Sequence, residues 1–103
     1  MAREFSGFRE FYPYYLSEHR NPNCRRMHFA GTLLVIATAV YAVFSGKLRL
    51  LWLLPVLGYG FAWVGHAVFE KNRPATFTHP IYSLIGDFLM FAQLLTGRIR
   101  FRP

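Results

Sequence analysis

Phe29-Ala-Gly-Thr-Leu-Leu-Val-Ile-Ala-Thr-Ala-Val-Tyr-Ala-Val-Phe-Ser-Gly46 is a run of 18 residues without a single charge. As an α-helix it would be about 27 Å long, close to the thickness of the hydrocarbon core of a bilayer. Two other stretches are nearly as apolar. Leu50–Phe69 holds one ionisable side chain, His66, and Pro80–Gly97 holds one, Asp87. The sequence therefore predicts about three transmembrane or deeply buried helices, with a soluble, tightly oligomeric helical bundle as the alternative.

The composition also favours lipid as the solvent of this chain. Of its 103 residues, 53% are hydrophobic and 17% are charged, which excludes a disordered protein. A soluble domain of this size would struggle to bury so much apolar surface. We expect residues 1–103 to form a single all-α, membrane-embedded domain, and leave homo-oligomerisation open. Cys24 is the only cysteine, so no intramolecular disulfide is expected.

The first 28 residues contain charges but no apolar core of the signal-peptide type. Aromatic and aliphatic residues recur at spacings of three and four between positions 3 and 19, which predicts an amphipathic helix lying in the membrane interface. These residues are Phe5, Phe8, Phe11, Tyr12, Tyr15 and Leu16. The net charge of +7 is divided between the ends of the apolar segments, as expected for contacts with lipid headgroups. No nucleic-acid-binding motif is present, so that class is excluded.

The four histidines lie at the ends of the apolar segments. If those segments are antiparallel helices, His28, His66 and His79 return to the same end of the bundle, and His19 ends the preceding helix on that side. Imidazole is the commonest metal ligand in proteins, so this convergence predicts a metal site. The HExxH motif of zinc proteases is absent, and mostly imidazole ligation suits iron, zinc, copper or nickel.

Two acidic residues accompany the histidines. Glu70 follows His66 by four residues, so the two share a helix face. We expect Glu70 to be a carboxylate ligand, an acceptor for an imidazole N–H, or an ion-pair partner of Lys71 or Arg73. Asp87 lies on the order of 12 Å along its helix from His79. We predict that Asp87 makes a structural hydrogen bond to a Tyr or Trp and lies too deep to reach the histidines.

Two stretches carry a family resemblance. Tyr15-Leu-Ser-Glu-His-Arg-Asn-Pro-Asn-Cys-Arg-Arg-Met-His28 and Phe61-Ala-Trp-Val-Gly-His-Ala-Val-Phe-Glu-Lys-Asn-Arg-Pro-Ala75 resemble the two signatures of the yeast-type 2-hydroxy-fatty-acid dioxygenase family. The resemblance implies a small membrane enzyme that requires Fe²⁺ and O₂, without 2-oxoglutarate, and shortens 2-hydroxy fatty acids by one carbon. It implies His19, His28 and His66 as iron ligands, with no separate catalytic residue. His79 remains a ligand candidate by position alone.

The basic residues at the histidine end have two interpretations. They can capture the carboxylate of a fatty acid or anchor the protein at headgroups. The candidates for capture are Arg25, Arg26, Lys71 and Arg73. The histidine end would hold seven of the twelve Lys and Arg residues, which favours a cytoplasmic location for it. The opposite end would hold the other five, namely Lys47, Arg49, Arg98, Arg100 and Arg102. Two other functions stay open, namely a non-catalytic membrane lipid-binding protein and a metal or proton carrier.

Overall fold

The computed structural model describes residues 5–73 and 77–102, and within those ranges every regular element is helical, as predicted. The elements follow in the order α1 (Phe8–Ser17), α2 (Pro22–Ser45), a 3₁₀ turn (Leu48–Trp52), α3 (Leu53–Val64), a π-helical turn (Gly65–Glu70) and α4 (Pro80–Leu95).

The ends of α2 follow from local chemistry. The side chain of Asn21 accepts a hydrogen bond from the backbone N–H of Asn23 at 2.8 Å, which caps the helix. Pro22 occupies the first turn, where no N–H is needed. Gly46 ends the helix with φ of 73°, a left-handed conformation that glycine adopts without strain.

α3 returns antiparallel to α2, and two glycines allow the helices to touch. A Cβ atom on Gly31 would lie 2.9 Å from Cβ of Phe61, and one on Gly65 would lie 3.2 Å from Sγ of Cys24. Either side chain would force the helices apart, because real Cβ atoms do not approach so closely. The small residues therefore hold the start of α2 against the end of α3.

Two helical segments are long and apolar enough to cross a membrane, Pro22–Ser45 and Leu48–Glu70. Only 22% and 11% of their most apolar windows are buried inside the protein, so most of each window lies on the surface of this chain. Phe44 and Trp52, near the turn between them, are 87% and 82% exposed. The third apolar stretch forms α4, which has 16 residues. Within the described residues, the prediction of about three membrane spans is therefore supported for two.

α4 runs antiparallel to α2, which differs from the predicted topology. The start of α2 contacts the segment after α4, because Arg25 donates to the Arg100 carbonyl. Farther along α2, Phe29 stacks on Phe91 of α4, and Val35 lines a cavity together with Leu84, near the start of α4. The end of α4, and not its beginning, therefore lies at the histidine end of the bundle.

The segment before α4 explains this reversal. The ring of Phe77 lies 5.3 Å from that of Trp63, which is about 10 Å along the helix from Glu70. The chain thus folds back beside α3 before α4 begins. The prediction that Arg98, Arg100 and Arg102 lie at the opposite end from the histidines is contradicted at Arg100, whose carbonyl is bonded by Arg25.

The aromatic stripe of α1 packs on α4 instead of facing lipid. Phe11 and Tyr15 are fully buried and form a core with Met90 and Leu94. A Cβ on Gly86 would lie 3.0 Å from the Tyr15 ring, so glycine permits the contact. The helical spacing predicted for this segment is confirmed, but its apolar face is covered by protein. This packing fixes the direction in which α1 delivers His19.

Candidate metal centre

Three histidines from three parts of the chain meet in the interior. His19 follows α1, His28 lies in α2, and His66 lies in the π-helical turn. One nitrogen of each lies within 4.8 Å of one nitrogen of each of the others, and all three side chains are buried. The wide turn that carries His66 is of a kind often found at functional sites. The contact of Gly65 with Cys24 holds this turn against α2.

Each imidazole is oriented through its Nδ1 atom. Nδ1 of His19 lies 2.6 Å from the carbonyl oxygen of Tyr15, and Nδ1 of His66 lies 2.6 Å from Oδ1 of Asn72. Nδ1 of His28 lies 3.4 Å from Oδ1 of Asp87. The Tyr15 and Asn72 oxygens are acceptors, so Nδ1 of His19 and Nδ1 of His66 carry the proton, and the nearby Asp87 carboxylate favours the same tautomer of His28. An acceptor at one ring nitrogen leaves the other with a lone pair, as in most histidine metal sites.

The Nε2 atoms of the histidines lie close together, and none of them has a proton to donate in a hydrogen bond. Nε2 of His19 lies 2.8 Å from Nε2 of His66, and neither carries a hydrogen in this tautomer. Nε2 of His28 is buried and has no hydrogen-bond partner among the described residues. Buried lone pairs at this spacing repel and lack donors, which is costly. A cation among them would remove that cost, so the donor set fits a metal ion with three imidazole ligands.

The protonation state of His19 agrees with this interpretation. Burial lowers the pKa of His19 well below its usual value, and protonation of His28 or His66 nearby would lower it further. His19 is therefore neutral at physiological pH, which is the form that binds metals.

Asp87 reaches the histidines, contrary to the prediction that it lies too deep. The Tyr15 hydroxyl donates to Oδ1 of Asp87, as predicted for a Tyr or Trp partner, and the same oxygen faces His28. Burial and the adjacent carboxylate raise the pKa of Tyr15 well above its usual value, so the phenol remains a donor. The middle of α4 therefore lies opposite His28. Asp87 thus orients one imidazole.

Asn72 is the orienting residue that sequence reasoning missed. Its Nδ2 atom donates to the backbone carbonyl of Glu18 at 3.1 Å and to the Glu18 carboxylate at 2.9 Å, which turns Oδ1 toward His66. Asn72 follows Lys71, whose φ of 57° directs the chain back over the site. No periodic spacing links positions 66 and 72, so the only available signal was that Asn72 lies in the second signature stretch.

Glu70 has a different contact from those predicted. Its Oε1 atom accepts a hydrogen bond from the backbone N–H of Asn21, and the Asn21 side chain reaches the carbonyl of Phe69 at 3.3 Å. These bonds tie the end of the π-helical turn to the cap of α2. The acceptor for His66 is Asn72, so Glu70 supports the site by joining two of the chain segments that form it.

The four predicted cations differ in their exposure and contacts. Arg25 is buried and donates to the carbonyl oxygens of His19 and Arg100, so its guanidinium braces the backbone behind His19. Arg26 is exposed and donates to Oδ1 of Asn23. Lys71 and Arg73 are also exposed.

His79 is not part of the group. It precedes α4, where its ring lies 5.2 Å from that of Phe5 and 5.3 Å from that of Phe11. Its Nδ1 atom lies 2.8 Å from Oγ1 of Thr78. The expected return of His79 to the other histidines assumed that α4 begins at their end of the bundle. The reversed direction of α4 removes that assumption.

A cavity of about 290 Å³ adjoins the site between α2, α3 and α4. His28 and Asp87 contribute to its wall. The other lining residues are Thr32, Val35, Leu54, Pro55, Gly58, Tyr59, Leu84 and Phe88. The histidine cluster therefore borders a partly open and largely apolar space.

The comparisons with known proteins agree with the resemblance found in the sequence. No curated protein and no solved structure matches the chain significantly. The family model described as "2-hydroxy-palmitic acid dioxygenase Mpo1-like" matches residues 5–99, a range that includes all three grouped histidines. The chain therefore belongs to the Mpo1-like family.

Proposed function

We propose that this protein is an iron(II)-dependent membrane dioxygenase that converts 2-hydroxy fatty acids to fatty acids one carbon shorter. The observation that carries the proposal is the convergence of three unprotonated Nε2 atoms, from His19, His28 and His66, in a chain whose family is named for this reaction. The absence of thiolate or carboxylate from the grouped donors suits a metal that binds imidazole.

Iron(II) held by three imidazoles keeps coordination positions open, through which it can bind and activate O₂ and a 2-hydroxy acid. The chain itself supplies orientation and shielding. Tyr15, Asn72 and Asp87 hold the Nδ1 protons of the three ligands, so the Nε2 lone pairs stay directed at one point. Burial of the imidazoles keeps bulk water away from the reacting groups.

The overall reaction balances without an electron donor. One 2-hydroxy acid, RCH(OH)COOH, and one O₂ give RCOOH, CO₂ and H₂O. The acid supplies four electrons, and O₂ accepts all four. No 2-oxoglutarate is therefore required.

We further propose that the two long apolar segments, Pro22–Ser45 and Leu48–Glu70, cross the membrane with the histidine end in the cytoplasm. The carbonyl of Arg100 lies beside Arg25, which adds the basic C-terminal tail to that end, whereas Lys47 lies in the turn at the other end. This concentration of positive charge is typical of cytoplasmic ends. Exposed Arg26, Lys71 and Arg73 are suited to attract an arriving carboxylate.

The test uses full-length protein purified without a histidine tag in lipid nanodiscs. Iron(II) loaded without oxygen should bind at one per chain, and 2-hydroxypalmitic acid with O₂ should yield the acid one carbon shorter by mass spectrometry. Alanine at His19, His28 or His66 should abolish both metal binding and product, whereas His79→Ala should retain metal. Iron-loaded, folded protein that never yields the shortened acid would reject the enzymatic proposal, and a triple alanine variant with full metal content would place the metal elsewhere.

A further inference from the structure

We propose that the cavity between α2, α3 and α4 is the binding site for the alkyl chain of the 2-hydroxy acid. This inference rests on the proposed function, because it takes the acid's head to lie at the histidine cluster. It assigns the recognition of substrate chain length to residues outside the histidine cluster. It adds no further metal ligand.

The cavity is formed by one face of each helix. On α2 the lining residues His28, Thr32 and Val35 follow a spacing of four and three, so they lie in one row. α3 contributes neighbours one turn apart, including Gly58, and α4 contributes a row that includes Asp87. Three converging faces make a partly open interhelical site, whose volume is near the lower end of the range for ligand pockets.

The polarity of the cavity walls indicates which end of the bound fatty acid lies at the histidines. His28 and Asp87 contact each other and belong to the metal centre, so one end of the cavity is polar. Beyond Thr32, the α2 row ends at Val35, and the facing walls carry Pro55, Gly58 and aliphatic or aromatic side chains. Among the described residues no Lys or Arg lines it. A carboxylate in the deep part would meet no cation, so that part suits a hydrocarbon chain.

The length of the cavity indicates how much of the alkyl chain it can hold. From His28 to Val35 the α2 wall rises about 10 Å. An extended chain of single bonds advances roughly 1.2 Å per bond, so the cavity length matches about eight carbon–carbon bonds. The remainder of a longer chain would leave between the helices toward lipid, where a methylene is solvated as well as in the cavity.

Gly58 lies on the α3 wall of this space, opposite Val35. A Cβ at Gly58 would lie 3.4 Å from Cγ2 of Val35, which is ordinary contact, so a larger side chain there enters the cavity next to the α2 wall. Gly60, two residues later in the same helix, has nothing within 4 Å of its Cβ position. Gly58→Leu therefore fills the cavity, and Gly60→Leu is a matched control with the same change in helix propensity.

The first experiment measures kcat/KM for 2-hydroxyhexanoic and 2-hydroxypalmitic acids in nanodiscs. The short acid does not reach Gly58, so Gly58→Leu should lower the long-to-short ratio of kcat/KM by about tenfold or more, as expected for overpacking. Gly60→Leu should leave the ratio unchanged. If Gly58→Leu does not fold, Val35→Phe fills the same space from α2 and should lower the same ratio. An unchanged ratio in a folded cavity-filling variant overturns the proposal.

The second experiment reads binding without turnover. A 2-hydroxypalmitic acid with a diazirine in mid-chain should crosslink to lining residues such as Leu54 and Phe88, and unlabelled 2-hydroxypalmitic acid should compete. Crosslinks confined to lipid-facing residues, or a cavity labelled by a phospholipid-tail probe that the acid does not displace, overturn the proposal. Crosslinking in the cavity of a protein that forms no product would support the alkyl-chain site and reject the dioxygenase activity. Product formation with crosslinks outside the cavity would support the dioxygenase activity and reject the alkyl-chain site.

Discussion

Removing the Asn72 side chain should weaken metal binding without removing a ligand. Oδ1 of Asn72 lies 2.6 Å from Nδ1 of His66, and its Nδ2 atom is held by two bonds to Glu18. In Asn72→Ala the Nδ1–H of an imidazole that is 1% exposed loses its acceptor. The ring is then free to rotate or to move its proton to Nε2, which removes one of the three converging lone pairs for part of the time.

Loss of such an orienting partner typically costs 10–100-fold in metal affinity, which corresponds to about 1.4–2.8 kcal/mol. Asn72→Asp keeps an acceptor for His66 but loses the donor to Glu18 and places two carboxylates together, so we expect a smaller loss than with alanine. Asn23→Ala is the control, because Asn23 is exposed and hydrogen-bonds with the Asn21 side chain and Arg26, outside the metal centre.

The assay is anaerobic competition for Fe²⁺ against a chromophoric chelator at fixed pH, with helix content followed by circular dichroism. The reasoning predicts full helix content for all three variants and weaker Fe²⁺ binding in the order wild type, Asn72→Asp, Asn72→Ala. Wild-type affinity in folded Asn72→Ala would refute the role of Asn72 in orienting His66. Equal losses in Asn23→Ala and Asn72→Ala would show that the effect is not local.

Two further predictions concern the helix packing and the topology. Gly31→Ala should destabilise the protein by about 1–3 kcal/mol in urea unfolding in detergent, because the new Cβ would lie 2.9 Å from Cβ of Phe61, whereas Gly60→Ala, in open space, should not destabilise it. In a Cys24→Ser background, single cysteines at positions 71 and 102 should label from one membrane face and a cysteine at 47 from the other; labelling of 102 together with 47 would contradict the reversed direction of α4.

The sequence was sufficient for features that depend on neighbours along the chain. An uncharged run predicts an apolar helix wherever it packs, and the ends of α2 follow from Asn21, Pro22 and Gly46, which lie within or beside the helix they terminate. Three of the four histidines proposed as metal ligands, His19, His28 and His66, do lie together, and a shared site was predictable for a related reason. Burying imidazoles is costly unless each nitrogen has a partner, so several histidines at segment ends already point to a shared ligand.

The tertiary structure alone decided the direction of α4, and with it three parts of the site. The sequence offered two apolar helices joined by residues 71–79, and nothing in that connection shows that it folds back beside Trp63. The position and direction of α4 together place Asp87 beside His28 and leave His79 among aromatic rings. α4 also supplies one wall of the cavity between α2, α3 and α4. The local sequence determines which faces of a helix are apolar. Which of those faces pack against each other depends on the packing of all the helices together.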